Sequence, residues 1–146
     1  MKNKSQKLFL FLSIGLYLIS LTQKSYCTVG GTCEYFSGLL NLIFGWFGVF
    51  TLHIPAFPWL ANPLLLGSWI FFRKKPKASF ILSGIAFILM LSFLLVDEII
   101  VNDGSTTSKV NFYGLGYWLW LFSSFIMLIG NYINWKKNKH KPQPRV

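Results

Sequence analysis

The two cysteines, Cys27 and Cys33, bracket the segment TVGGT and are the most reactive side chains in the sequence. A redox-active pair is typically C-x-x-C, and a structural zinc site needs four ligands, so this spacing matches neither pattern. The two glycines between the cysteines make a tight loop easy to form. In an oxidising compartment the pair is expected to form a structural disulfide, with two free thiols as the alternative.

The other residues that could take part in catalysis or ligand binding do not form a recognisable motif. His53 has no second His, Cys or carboxylate at ligand spacing, and the adjacent Asp97 and Glu98 are expected to point in different directions at a loop edge. Gly114 and Gly116 match neither a phosphate-binding loop nor a dinucleotide fingerprint. We therefore predict no catalytic, cofactor-binding or metal-binding residues, no cofactor and no enzymatic activity.

The composition excludes an ordinary soluble domain. Of the 146 residues, 53% are hydrophobic and only 12% are charged, and the mean hydropathy is +0.51. Globular proteins carry about a quarter charged residues, and here the apolar residues form blocks rather than a core-facing period. The length leaves no room for a soluble domain beside the blocks. We predict an all-α membrane protein, with residues 1–146 forming a single integral bundle.

The net charge of +10 is concentrated in short clusters that flank the apolar blocks. Such clusters are typical of cytoplasmic ends that face anionic headgroups, which favours a lipid bilayer over nucleic acid as the partner. The clusters are Lys2, Lys4 and Lys7; Arg73, Lys74, Lys75 and Lys77; and Lys136, Lys137, Lys139, Lys141 and Arg145.

The topology depends on the stretch HIPAFPWLANP, residues 53–63, which interrupts a long apolar run. If residues 36–52 do not fully cross, all Lys and Arg residues except Lys24 and Lys109 lie on the cytoplasmic side, as the positive-inside rule requires. If all five blocks cross and the N-terminus is inside, this bias is reversed. The inverted five-span arrangement restores the bias, but it must translocate the basic segment MKNKSQK. We therefore predict transmembrane helices at 8–22, 57–72, 80–96 and 114–133. Residues 36–52 form a re-entrant or interfacial helix, 135–146 form a basic tail, and both termini are cytoplasmic.

Prolines explain why the chain would turn here. Pro55 and Pro58 lack amide donors, and Pro63 is expected to kink the next helix, where Asn62 could satisfy a freed carbonyl. Full crossing by residues 36–52 stays the alternative, because the segment is hydrophobic enough to cross. As a helix, however, it carries small or weakly polar residues on one face, which suits close packing. These are Gly38, Asn41, Gly45 and Gly48.

Aromatic residues lie near the predicted span ends, where amphipathic rings anchor a protein at the headgroup level. The predicted interfacial anchors are Trp59, Tyr113, Tyr117, Trp118, Trp120 and Trp135. Small residues within the spans are predicted helix-packing positions, since they let backbones approach closely in lipid. These are Gly67, Ser68, Gly84, Ser123 and Ser124.

The N-terminal segment MKNKSQK followed by residues 8–21 has the basic start and apolar core of a signal peptide. The following LTQKSYC lacks an Ala-x-Ala-like cleavage site, although cleavage near Ser25-Tyr26-Cys27 is the alternative. Because a bulky Tyr26 precedes the cysteine, a lipoprotein site is not expected. We predict an uncleaved first span.

Three segments, GWFG (45–48), WLANPLL (59–65) and YGLGYWLW (113–120), resemble a family of small, uncharacterised bacterial inner-membrane proteins. The resemblance covers about residues 33–125 and implies a multi-pass protein of the bacterial cytoplasmic membrane, with no established activity. With no deep ionisable residue, we expect a non-enzymatic accessory or envelope-associated factor that acts through helix–helix contacts with another membrane protein or itself. The alternatives are a small oligomeric transporter or channel subunit, and an immunity or exclusion protein against a membrane-active toxin or phage.

Overall fold

A computed structural model describes residues 4–29, 37–50, 54–100 and 107–139. This part of the chain is mostly helical, as predicted, and contains five α-helices. They are α1 (Lys4–Thr22), α2 (Gly38–Phe50), α3 (Ala61–Phe71), α4 (Pro76–Ser92) and α5 (Leu115–Lys139). Two short 3₁₀ helices, Ile54–Leu60 and Phe93–Leu95, precede α3 and follow α4.

Helix α5 is the centre of the bundle, because α1 and α4 both pack along it and α3 packs on α4. Phe9 of α1 lies against Gly130, whereas Gln23, just after α1, lies against Gly116, so α1 and α5 are antiparallel. Helix α4 is also antiparallel to α5, since its first turn meets Asn131 and its last turn meets Tyr117. The start of α1, the α3–α4 turn and the end of α5 therefore lie at one end of the bundle.

Three short strands form an antiparallel sheet at the opposite end, in the order β1 (Tyr26–Thr28), β3 (Thr107–Tyr113), β2 (Glu98–Ile100). Tyr26 pairs with Tyr113, and Glu98 pairs with Lys109 across the second ladder. The all-α prediction did not include this sheet. Its strands are short, and their weak alternation of apolar and polar residues is difficult to distinguish from a loop.

Glycines join this sheet end to α5. The backbone amides of Gly114 and Gly116 donate to the carbonyls of Ser25 and Lys24, both at 2.9 Å. A Cβ at Gly116 would lie 2.8 Å from the carbonyl oxygens of Gln23 and Lys24, so a larger residue cannot approach this closely. These two glycines therefore dock the start of α5 on the chain that leaves α1.

Helix α2 and the 3₁₀ helix Ile54–Leu60 pack against each other as a hairpin on the side of the bundle, and residues 51–53 lie outside the described residues. The hairpin starts at the sheet end, where the amide of Gly38 donates to the carbonyl of Gln23 at 3.0 Å. It returns to Trp59, whose indole donates to the carbonyl of Leu42, in the second turn of α2, at 3.0 Å. The hairpin thus begins and ends near the same end of the bundle.

Among the described residues, two helices and not four are long and apolar enough to cross a membrane: Pro76–Leu95 and Leu115–Lys139. The apolar helices Lys7–Thr22 and Ala56–Phe71 are shorter. At 1.5 Å per residue, the first of these covers about 24 Å, less than the hydrocarbon core of about 30 Å. In the predicted span 57–72, the chain around Pro58 is 3₁₀ and the α-helix begins only at Ala61.

Candidate functional site: a polar interior and a basic end

Asn62, near the start of α3, is a meeting point for three helices. Its side chain is 6% exposed, and its Oδ1 accepts hydrogen bonds from the Tyr17 hydroxyl at 3.1 Å and from the Trp120 indole at 2.8 Å. The sequence suggested that Asn62 satisfies a backbone carbonyl freed by Pro63. Its observed partners are instead the side chains of α1 and α5, so it joins helices.

Ser13 extends these contacts toward the middle of the bundle. Its hydroxyl donates to the carbonyl of Ser123 at 2.8 Å and accepts from the Trp69 indole at 3.1 Å. The ring of Tyr17 packs edge-on against Trp69 with centroids 5.3 Å apart. The α1, α3 and α5 helices are thus linked by side chains whose polar atoms face each other and not the outside.

A second cluster surrounds Asn131, which is completely buried on α5. Its Oδ1 accepts from the Ser79 hydroxyl at 2.7 Å. Its Nδ2 lies 2.8 Å from the Ser68 hydroxyl, 2.9 Å from the Ser83 hydroxyl and 3.0 Å from the Ser79 carbonyl. One carboxamide therefore ties α5 to α3 and α4, and we name Asn131, Ser68, Ser79 and Ser83 the asparagine cluster.

The predicted packing positions are confirmed as close helix contacts. Ser68, Ser123 and Ser124 are completely buried. A Cβ at Gly67 or Gly84 would already touch a leucine of the neighbouring helix, at 3.4 and 3.7 Å. The small residues in the sequence thus predicted the helix interfaces, but they did not predict the side-chain amide of Asn131 that joins these helices.

One turn beyond the asparagine cluster, Asn134 donates from Nδ2 to the carbonyl of Phe72 at 2.7 Å. Phe72 follows α3, where helix carbonyls lose their intrahelical partners. Phe80 of α4 stacks on Trp135 with centroids 5.4 Å apart and nearly parallel rings. These contacts hold the α3–α4 turn against the last turns of α5.

Exposed basic side chains surround this end of the bundle, which we name the basic end. They are Lys7, Arg73, Lys74, Lys75, Lys77, Lys136, Lys137 and Lys139. The two described acids, Asp97 and Glu98, lie near the sheet at the opposite end. Three sequence clusters separated by some sixty residues thus form one positively charged surface.

The small face predicted for residues 36–52 is confirmed as a packing face. Gly38 lies against the backbone of Ser20, Asn41 accepts from the Tyr26 hydroxyl at 3.3 Å, Gly45 contacts Trp59, and Gly48 contacts Ala56. The opposite face of α2 carries large exposed apolar side chains. These are Leu39, Leu40, Ile43, Phe44, Trp46, Phe47 and Phe50.

The sheet end contains Cys27, which is buried on β1 and carries no free thiol. Cys33 lies outside the described residues, so the bridge between the two cysteines stays a prediction. Burial raises the pKa of the Tyr26 hydroxyl well above its ordinary value. Burial, followed by the negative charge of Asp97, also raises the pKa of Tyr113, whose hydroxyl donates to the carbonyl of Phe93 at 3.2 Å.

The predicted interfacial aromatics take several different positions. Trp118 is exposed, whereas Tyr117 is only 2% exposed and donates to the carbonyl of Met90 at 3.0 Å. Trp59 and Trp120 are half-buried and donate to Leu42 and Asn62.

Of the prolines predicted to break or turn the chain, Pro55 and Pro58 lie in the 3₁₀ helix before α3 and Pro63 lies in the first turn of α3. His53 lies outside the described residues.

The polar side chains of this interior form hydrogen bonds between helices. Among the described residues, no group of three or more His, Cys, Asp or Glu side chains could hold a metal ion. Within the same residues, no buried side-chain nitrogen or oxygen lacks a hydrogen-bond partner. The Asn62 contacts and the asparagine cluster therefore bind other parts of the bundle.

Comparisons of the chain with protein-family models, with curated proteins and with solved structures found no match. The family resemblance suggested by the three sequence segments therefore stays a prediction.

Sequence reasoning missed the roles of Tyr17, Ser13 and Asn131. A signal for the last of these was present, because Asn131, Asn134 and Asn138 are spaced i, i+3 and i+7 and so share one face of a helix. An amide row inside an apolar segment is costly in lipid unless it meets partners on a neighbouring helix. The row therefore predicts the face of α5 that packs inward. Asn131 and Asn134 are buried on this face, whereas Asn138, in the last turn of α5, is exposed.

Proposed function

We propose that this chain is a multi-pass protein of the bacterial cytoplasmic membrane that acts without catalysis, as an accessory or envelope-associated factor, through contacts with another membrane protein. The observation that carries the proposed orientation is the convergence of the basic clusters at one end of the bundle. Lys and Arg are enriched in cytoplasmic loops next to membrane spans. The basic end is therefore the cytoplasmic side, and the sheet lies outside.

Contacts along α5 support four passes, although two of the helices are short. Helix α1 accompanies α5 from Gly130, which touches Phe9, to Gly116, which touches Gln23. Helix α3 accompanies it from Trp120, bonded to Asn62, to Asn134, bonded to Phe72. Fourteen residues of α5 separate each pair of contacts, about 21 Å of helix. The short helices thus traverse most of the depth that α5 traverses.

The α2 hairpin is then a re-entrant or interfacial element of the outer side. It begins and ends near the sheet end, and its exposed face is apolar, which suits lipid and not water. The interior supports a contact role as well. Its amide and hydroxyl groups are engaged in helix–helix hydrogen bonds, so the surface is left as the part that meets other molecules.

Topology reporters test the orientation. Alkaline phosphatase fused after Lys77 is expected to be inactive, because it stays in the cytoplasm, and fused after Lys109 it is expected to be active. A green fluorescent protein fused at the same positions gives the opposite pattern. An active phosphatase after Lys77 would place the α3–α4 turn outside and overturn the proposed orientation.

Affinity capture tests the contact role. The full chain, purified from native membranes in mild detergent, is expected to enrich one membrane protein reproducibly over a bait of similar size and span number. Quantitative mass spectrometry of both captures measures the enrichment. Recovery of the chain as a homo-oligomer alone would favour a transporter or channel subunit, and recovery of no constant neighbour would contradict the accessory role.

A further inference from the structure

Two elements of the basic end are distant in sequence and fixed to each other in space. The α3–α4 turn carries Arg73, Lys74 and Lys75, and the last turn of α5 carries Lys136, Lys137 and Lys139. The bond from Asn134 to the carbonyl of Phe72 joins α5 to the residue just before this turn. The stack of Phe80 on Trp135 joins α5 to the first turns of α4.

The positive charge of this surface is not neutralised within the described structure. The carboxylates that the structure describes, Asp97 and Glu98, lie with the sheet at the other end of the bundle. The basic side chains of both elements are exposed. Like charges on these two joined elements repel one another, so an external anion that lies between them is stabilised.

Apolar and aromatic side chains lie directly below these charges. Trp135 has Lys139 Nζ 5.8 Å from its ring centroid, and Phe71 has Lys75 Nζ 5.9 Å from its ring centroid. Ile70 on α3 is 69% exposed and Tyr132 on α5 is 47% exposed. The surface is therefore cationic at its tip and apolar along its sides. A ligand that fits both parts carries an anionic group at one end of a hydrocarbon chain.

We propose that the α3–α4 turn and the last turn of α5 together bind the headgroups of anionic phospholipids. This inference rests on the proposed function, because it needs the basic end at a membrane surface. The guanidinium of Arg73 can bind a phosphate with two hydrogen bonds, and the lysines supply point charges around it. Acyl chains would lie along the exposed side chains of α3 and α5. Nucleic acid supplies phosphates but no partner for these apolar sides.

Trp135 provides a reporter within the surface itself. The full chain is reconstituted into phosphatidylcholine vesicles that contain a fraction of phosphatidylglycerol, with bromine on the acyl chains of one lipid or of the other. The quenching of Trp135 is the difference between the wild-type protein and Trp135→Phe, which keeps a ring to stack on Phe80. Brominated phosphatidylglycerol is expected to quench Trp135 more strongly than brominated phosphatidylcholine at equal mole fraction.

Two triple variants test whether both elements are needed: R73Q/K74Q/K75Q and K136Q/K137Q/K139Q. Each basic residue near an anionic surface strengthens binding to it, so either triple is expected to reduce the preference for phosphatidylglycerol by at least about tenfold. The matched control, K24Q/K109Q at the sheet end, is expected to leave the preference unchanged. Equal quenching by the two lipids, or an unchanged preference in either triple variant, would overturn the proposal.

Competition separates the possible sources of phosphate. Inorganic phosphate and a single-stranded oligonucleotide are added outside vesicles whose exposed side carries the basic end. Neither is expected to abolish the lipid preference, and displacement by either one would overturn the proposal in favour of a general anion site or a nucleic-acid site.

Vesicle flotation after alkaline extraction is measured in parallel. Loss of the protein there contradicts the proposed membrane function, whereas retention without lipid preference contradicts this inference alone.

Discussion

Asn131→Ala is expected to lower the free energy of unfolding by about 2 kcal/mol or more. The change removes the acceptor of the Ser79 hydroxyl and the donor that reaches Ser68 and Ser83, all of them buried. Hydrogen bonds between membrane helices contribute about 0.6 kcal/mol on average, and several are lost together. Titration of the purified protein in mixed micelles with sodium dodecyl sulfate, followed by circular dichroism, measures this loss.

Asn138→Ala provides the matched control on the same helix. Asn138 is exposed and, among the described residues, bonds to the carbonyl and side chain of Asn134 one turn earlier, so its removal is expected to change stability by less than about 0.5 kcal/mol. If Asn131→Ala and Asn138→Ala were equally stable, the asparagine cluster would not hold the helices together.

A double-mutant cycle with Ser83→Ala separates the hydrogen bond from the cavity. Ser83 accepts from Asn131 and donates to the carbonyl of Phe80 in its own helix, so the double variant is expected to lose less than the sum of the single losses. A coupling between about 0.6 and 1.7 kcal/mol would match bonds of this class. Additive losses would show that the Asn131–Ser83 contact contributes nothing by itself.

The placement of charge could be predicted from the sequence because it depends only on chain direction. Basic clusters at Lys7, Arg73–Lys77 and Lys136–Lys139 separate apolar blocks, and antiparallel packing of α1, α4 and α5 brings them to one end. The glycine face of α2 was also predictable, because helical periodicity puts Gly38, Gly45 and Gly48 on one side. Both predictions use spacing alone.

The burial of individual side chains and their hydrogen-bond partners were harder to predict. Tyr117 belongs to an aromatic-rich segment next to a predicted span end, which suggests an interfacial anchor, yet its ring is buried against Phe93 and its hydroxyl bonds to Met90. The partners of Asn62 were equally hard to predict, because Tyr17 and Trp120 lie 45 and 58 positions away from it in the sequence. Local sequence contains no record of which distant side chain completes a hydrogen bond.

The sheet end could not be predicted for a different reason. Strand β1 has only three residues, and its pairing with β3 depends on α1 and α5 bringing Lys24 and Gly116 together. Such short strands have no stability of their own and form only where the helices place them. The sheet is therefore a consequence of the bundle.

Gly130→Ala is expected to lower the free energy of unfolding by about 2 kcal/mol, although alanine is the better helix former. A Cβ at position 130 would lie 2.6 Å from the Cβ of Phe9, a distance that carbon atoms do not adopt. Both atoms are attached directly to helical backbones, so no side-chain rotation relieves the contact. Helices α1 and α5 would have to separate at the basic end. The same micelle titration measures the loss.

Gly15→Ala is the control, because a Cβ at Gly15 in α1 would meet nothing within 4 Å. This change is expected to be neutral or to stabilise the protein by up to about 1 kcal/mol through helix propensity. Opposite signs for the two glycines in the same helix pair would therefore separate contact from propensity.

Combining Gly130→Ala with substitutions of Phe9 tests whether the contact with Phe9 causes the loss of stability. Phe9→Ala keeps the Cβ that makes the close contact, so Gly130→Ala should still be destabilising there. Phe9→Gly removes that Cβ, and in this background Gly130→Ala should become neutral or stabilising, because only the helix propensity of alanine remains. If Gly130→Ala destabilised all three backgrounds equally, the separation of α1 and α5 would be set by contacts other than the one between these two residues.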